Sequence, residues 1–147
     1  MKKIIALILC VLMVAGFVCS CSENENTETK KNEKIDIDIT QLSSTVAYSL
    51  VVNMCNSPDE YIGKMVKMQG NFGTYQDPNT LKMYYACLYT DSTACCTASI
   101  EFETAKKLNF PDDYPTSGDI ITVMGVFDTY YEGEYRYCYL KDAVIVA

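Results

Sequence analysis

Four cysteines carry the chemistry in this 147-residue chain: Cys87, Cys95 and Cys96 inside the run Tyr84 to Phe102, and Cys138 near the C-terminus. Thiolates are ligands for a soft metal such as zinc, and four of them make a closed structural site that contributes ~10 kcal/mol or more to folding. The spacing contains no C-x-x-C pair, so it is not a standard zinc signature. Two other readings compete with metal binding. One is a disulfide, Cys87 to Cys96 or Cys96 to Cys138, worth about 2 to 4 kcal/mol to a small domain in an oxidising compartment. The other is buried, reduced thiols that act as small apolar side chains. No histidine occurs anywhere in the chain. The usual general base and commonest metal ligand is therefore missing, which counts against a hydrolytic triad and a catalytic zinc. Asp91 stands near Cys87, but no base or oxyanion motif accompanies it, and an enzyme is not expected.

The hairpin that would position the thiols runs from Leu81 to about Glu103, with Asp91-Ser92 at its turn. In that register Cys87 lies opposite Cys96, Tyr85 opposite Ala98, Met83 opposite Ile100 and Leu81 opposite Phe102, so every apolar pair shares one face. A one-residue slip sets Leu81 against Glu101 and buries a charge, which excludes it. Cys87 and Cys96 are expected to be inward neighbours, with Cys138 in reach and Cys95 pointing away.

Before the hairpin, Ile35, Ile37 and Ile39 alternate with Asp36 and Asp38, as in a short strand. Leu42, Val46, Leu50 and Met54, flanked by Ala47 and Val51, then predict a helix over 42–55 with a buried stripe, and Cys55 reads as a small buried side chain at its end. Ser57-Pro58-Asp59-Glu60 predicts one tight turn closing at Gly63.

An internal echo carries the fold argument. GKMVKMQGNFGTY from Gly63 and GDIITVMGVFDTY from Gly118 align without gaps, placing Gly70 with Gly125 and Phe72 with Phe127. A glycine on the inner face of each long strand predicts a bulge or a sharp bend. With a short helical bridge at 105–108, and a turn at Glu132-Gly133-Glu134 leading to a last strand on which Cys138, Leu140 and Val144 share a face, the count is five strands. The expected fold is all-β with one N-terminal helix: a five-stranded Greek-key barrel of the OB-fold type, in which the two echoing strands touch. The domain occupies residues 35–147.

The N-terminus gives an address. Residues 1–20 open Met-Lys-Lys and continue through a short apolar run, the form of an export signal. Val18-Cys19-Ser20-Cys21 has the form of a bacterial lipobox, which makes Cys21 the expected lipidation site. Multiple acyl chains there anchor the protein to a membrane it does not cross. Residues 21–34 are then a polar, disordered tether. A formal charge of −7, more acidic once Lys2 and Lys3 are removed, argues against nucleic acid as a partner. The twelve tyrosines offer an alternative function. Tyr75, Tyr84, Tyr89, Tyr130, Tyr131, Tyr135, Tyr137 and Tyr139 fall at predicted strand ends and outer faces, where a disulfide-stabilised barrel would take a glycan or a peptide.

Taken together, YIGKMVKMQGNF, Tyr85-x-Cys87, Asp91, Cys95-Cys96, Ile100-Glu101-Phe102, Gly125-x-Phe127 and the ending YCYLKDA resemble small OB-fold lipoproteins of Gram-positive bacteria with no assigned activity. They are also similar to the C-terminal domain of metal-responsive, permease-associated membrane proteins, which carry a like pair of adjacent cysteines. The likeness covers residues 58–147. It implies an extracytoplasmic OB-fold with a tie to metal handling, and supplies no catalytic residues. A monomer is expected, with a permease or another envelope protein as partner.

Overall fold

The computed structural model describes residues 34–146; the expected signal peptide, Cys21 and almost the whole tether lie outside the described residues. The domain is predominantly β, with one α-helix and a six-stranded sheet: β1 (Ile37–Asp38), α1 (Ser44–Asn56), β2 (Met65–Gln76), β3 (Met83–Thr90), β4 (Thr97–Thr104), β5 (Ile120–Glu132) and β6 (Tyr135–Val146). The sixth strand beyond the expected five is β1, whose two residues lie parallel to β2 at Val66 and Lys67. The Asp38 carboxylate then accepts from the backbone and hydroxyl of Thr40, at 3.0 and 2.6 Å, and turns the chain toward α1.

The echoing segments do pair. β2 and β5 run antiparallel with Val66 opposite Gly125 and Gly70 opposite Ile121, so each inner glycine faces an apolar side chain of the other copy. Beyond Asn71 the strand leaves β5 and pairs with β3 instead. Gly70 sits at that crossover: a Cβ there would lie 2.5 Å from the Leu88 carbonyl oxygen and 2.9 Å from the Cys87 sulfur. From β3 the pairing passes antiparallel to β4, parallel to β6, antiparallel to β5 and back to β2, so the five long strands form a ring of hydrogen-bonded neighbours. Phe72, Phe127, Met68, Val66, Val123, Ile100 and Leu140 fill its interior, all essentially inaccessible. A fully buried Phe or Leu side chain is worth ~1.5–3 kcal/mol.

Four local expectations change. The helix buries Ala47, Val51 and Met54, which sit one turn apart, while Val46 is half exposed and Leu42 lies on the rim. Met54 is buried as expected and Leu50 partly so, but the flanking Ala47 and Val51, not Leu42 and Val46, complete the buried face. Residues 105–108 form no helix; the segment is a loop that carries Tyr114 back onto Phe72 and Tyr85. On β6, Val144 points outward and Ala143 inward, because residues 142 and 143 together oppose Gly125 in a bulge whose Asp142 adopts φ 51°. An inserted residue reverses the period-two alternation beyond it. Tyr89 belongs to the core and not to an outer face, its hydroxyl accepting from the Gln69 backbone at 2.8 Å.

Candidate functional site

Where the chain leaves β3, the expected two-residue turn is a six-residue loop from Asp91 to Cys96. The register is accordingly Cys87 opposite Ile100, Leu88 opposite Ser99 and Tyr89 opposite Ala98. This corrects the pairing of Cys87 with Cys96. Cys87 keeps its inward face, fully buried under the crossover of β2, and burial pushes its thiol up to about 12. Cys96 is in the exposed loop.

Asp91 organises that loop. Its backbone N–H donates to the Cys96 carbonyl at 3.0 Å, closing the turn. One carboxylate oxygen accepts from the backbones of Cys95 and Cys96 at 3.0 and 3.4 Å, and the other from the Thr93 hydroxyl at 2.9 Å. Ala94, at φ 58°, provides the bend between them. On a regular strand Cys95 and Cys96 would diverge. Off the strand their sulfurs converge to 3.4 Å, with the Cys95 thiol donating at 3.3 Å to the same Asp91 oxygen that accepts from Thr93. Among the described residues, Asp91, Cys95 and Cys96 form the group whose donor atoms could hold a metal ion, all within 4.8 Å of one another.

The electrostatics of the loop follow from these bonds. The Thr93 hydroxyl, with the Cys95 thiol and the two backbone N–H groups, holds the Asp91 carboxyl below the usual carboxylate range. The Cys95 thiol beside it pushes Cys96 up, reinforced by desolvation and the Asp91 charge, while the Tyr48 hydroxyl on α1 donates to the Cys96 sulfur and pulls the other way. Two thiols and one ionised carboxylate at this separation suit a thiophilic cation, and leave a coordination position open to solvent.

Cys87 and Cys138 are not members of this group. Cys138 lies half-buried on β6 opposite Thr129, beside Cys55 at the end of α1. Cys55 is exposed, contrary to its reading as a buried side chain, and its thiol donates to the Ser99 carbonyl at 3.8 Å. A bond from the Cys138 thiol lowers Cys55, and the same contact, with burial, raises Cys138. All five described cysteines are free thiols, so neither disulfide considered from the sequence is formed. None of the family models, curated proteins or solved structures compared with this chain matches it. The site therefore has to be read from its own atoms.

Sequence reasoning found Cys95 and Cys96 and missed two of their companions. Asp91 was read as a turn residue, although an Asp at the head of Asp-x-Thr-x-Cys-Cys can close the loop with its own carboxylate, here on the Thr93 hydroxyl and on the backbones four and five residues ahead. Tyr48 left no local sign, because it reaches the loop from a different element. Of the tyrosines expected on outer faces, Tyr75, Tyr131, Tyr135 and Tyr137 are exposed, whereas Tyr84, Tyr130 and Tyr139 line a cavity.

Proposed function

We propose that this protein is a lipid-anchored, extracytoplasmic binding protein, built on an OB-type five-stranded barrel, that takes up a thiophilic metal ion such as zinc through Asp91, Cys95 and Cys96. The observation that carries the reading is the convergence of three donors. Two thiolates on a tetrahedral zinc stand about 3.8 Å apart, given Zn–S bonds of about 2.3 Å. The sulfurs of Cys95 and Cys96 are already 3.4 Å apart. Small adjustments would seat the ion, and the open position would accept water or a donor from a partner. A site that is exposed and short of one protein ligand suits transient capture and hand-over better than permanent structural metal. The ring of strand pairings from β2 through β5 favours the barrel. The lipobox at Cys21 supports attachment to the membrane, and the similarity to permease-associated domains supports a permease or another envelope protein as recipient. The acidic surface speaks for a cation and against nucleic acid.

The test is native mass spectrometry of the full chain, purified anaerobically with its thiols reduced. One zinc per chain is expected, lost in Cys95→Ser and Cys96→Ser and retained in Cys55→Ser and Cys138→Ser. Zinc that survives both loop substitutions, or no zinc at all, would sink the proposal.

A further inference from the structure

The domain has a second feature, independent of the metal reading because none of Asp91, Cys95 and Cys96 lines it. A cavity of about 380 Å³ opens where β3, β4, β5 and β6 meet the Tyr114 loop. That is within the size range of small-molecule sites, about 300–1,000 Å³. Its two ends differ in chemistry. At one end Tyr85 and Tyr114 stack on each other at 4.1 Å, with the Phe102 ring tilted against Tyr85 at 6.3 Å, making an aromatic, apolar wall.

At the other end the lining is built for positive charge. The Lys82 ammonium stands 4.4 Å from the centre of the Tyr84 ring and 5.3 Å from that of Tyr130, and 3.3 Å from the Glu132 carboxylate. Glu132 is held in place by the Tyr84 hydroxyl at 2.7 Å. The Tyr130 hydroxyl donates to Glu101 at 2.6 Å, which fixes that ring and leaves the other Glu101 oxygen without a donor among the described residues. Glu101 and Glu103 are the two carboxylates of the lining itself, and Glu132 stands behind Lys82 and Tyr84. One ammonium thus faces two ring faces and the Glu132 carboxylate, with Glu101 near enough to feel its charge, and its side chain is half exposed. Ring faces and carboxylates together select cations over neutral or anionic groups.

We propose that this cavity binds a small organic cation, an ammonium carried on an aromatic or apolar body, and that Lys82 holds the ammonium position in the unliganded protein. The ligand's body lies against Tyr85 and Tyr114, and its ammonium takes the place between Tyr84 and Tyr130 as Lys82 withdraws. Lys82 is then a competitor for the site, not a ligand-binding group.

The competition gives a test with an unusual sign. Phenethylammonium, phenethyl alcohol and phenylacetate are titrated against the full chain by ligand-observed NMR. The ammonium is expected to bind roughly tenfold tighter than the alcohol, and phenylacetate not at all. Lys82→Met should tighten the ammonium several-fold, Glu101→Gln should weaken it, and the metal site should be unaffected in both. Lys82→Gln serves the same purpose should Lys82→Met fail to fold. Equal binding of ammonium and alcohol, no binding of any of the three, or weaker ammonium binding in a folded Lys82 variant would overturn the proposal.

Discussion

If Asp91, Cys95 and Cys96 hold a metal, its affinity must climb with pH, and the slope counts the thiols. Each donor that is still protonated in the free protein gives up one proton on binding, so the apparent affinity rises tenfold per pH unit for each such thiol. Asp91 contributes nothing to the slope, since its carboxyl is held below the usual range and is ionised throughout. Cys96 keeps its proton through neutral pH because its thiol is pushed up by Cys95 and Asp91. Cys96 by itself therefore contributes about a tenfold rise per pH unit, or about 1.4 kcal/mol. Cys96→Ser should remove that contribution, making the rise about tenfold shallower per pH unit. The assay is competition for zinc against a chromophoric chelator of known pH dependence, between about pH 6 and pH 7, with thiols kept reduced. A flat profile, or the same slope in Cys96→Ser, would refute the assignment of these sulfurs as ligands, whatever the stoichiometry of bound metal.

Other consequences can be checked separately. Tyr48→Phe removes the one hydroxyl that pulls the Cys96 thiol down, so zinc binding near pH 7 should weaken by a factor of a few while the stoichiometry stays the same. Gly70→Ala forces a Cβ against the Leu88 carbonyl and the Cys87 sulfur, and should lower stability by ~1–3 kcal/mol in a denaturant titration; an unchanged midpoint would mean that β2 does not cross β3 as closely as described. Cys87, buried with a thiol pushed up to about 12, is ionised to about one part in ten thousand at about pH 8. Iodoacetamide followed by peptide mapping should therefore label Cys55, whose thiol is lowered by Cys138, well before Cys87, which reacts only on unfolding.

What could be read in the chain before the structure, and what could not, is set by which errors a residue pattern can detect. The echo at Gly63 and Gly118 located two of the three longest strands and their contact correctly, because a repeated glycine marks a place where backbones approach, and both glycines do so. The hairpin shows the limit. Its pairing was fixed by excluding a slip that would bury Glu101, yet the true register differs by four residues, an even number, and an even shift keeps every side chain on the face it had. Cys87, Ile100 and Phe102 face inward in either register, so burial was satisfied and the error passed. The length of the loop decided the matter, and that length depends on the Asp91 carboxylate satisfying the backbones of Cys95 and Cys96. A polar side chain substituting for strand pairing has no periodicity to betray it. The same four-residue extension removed Cys96 from the core, placed it beside Cys95, and replaced a buried thiol pair by an exposed site with a carboxylate in it. Local turn chemistry, more than the hydrophobic pattern, thus decides whether these sulfurs can share an ion.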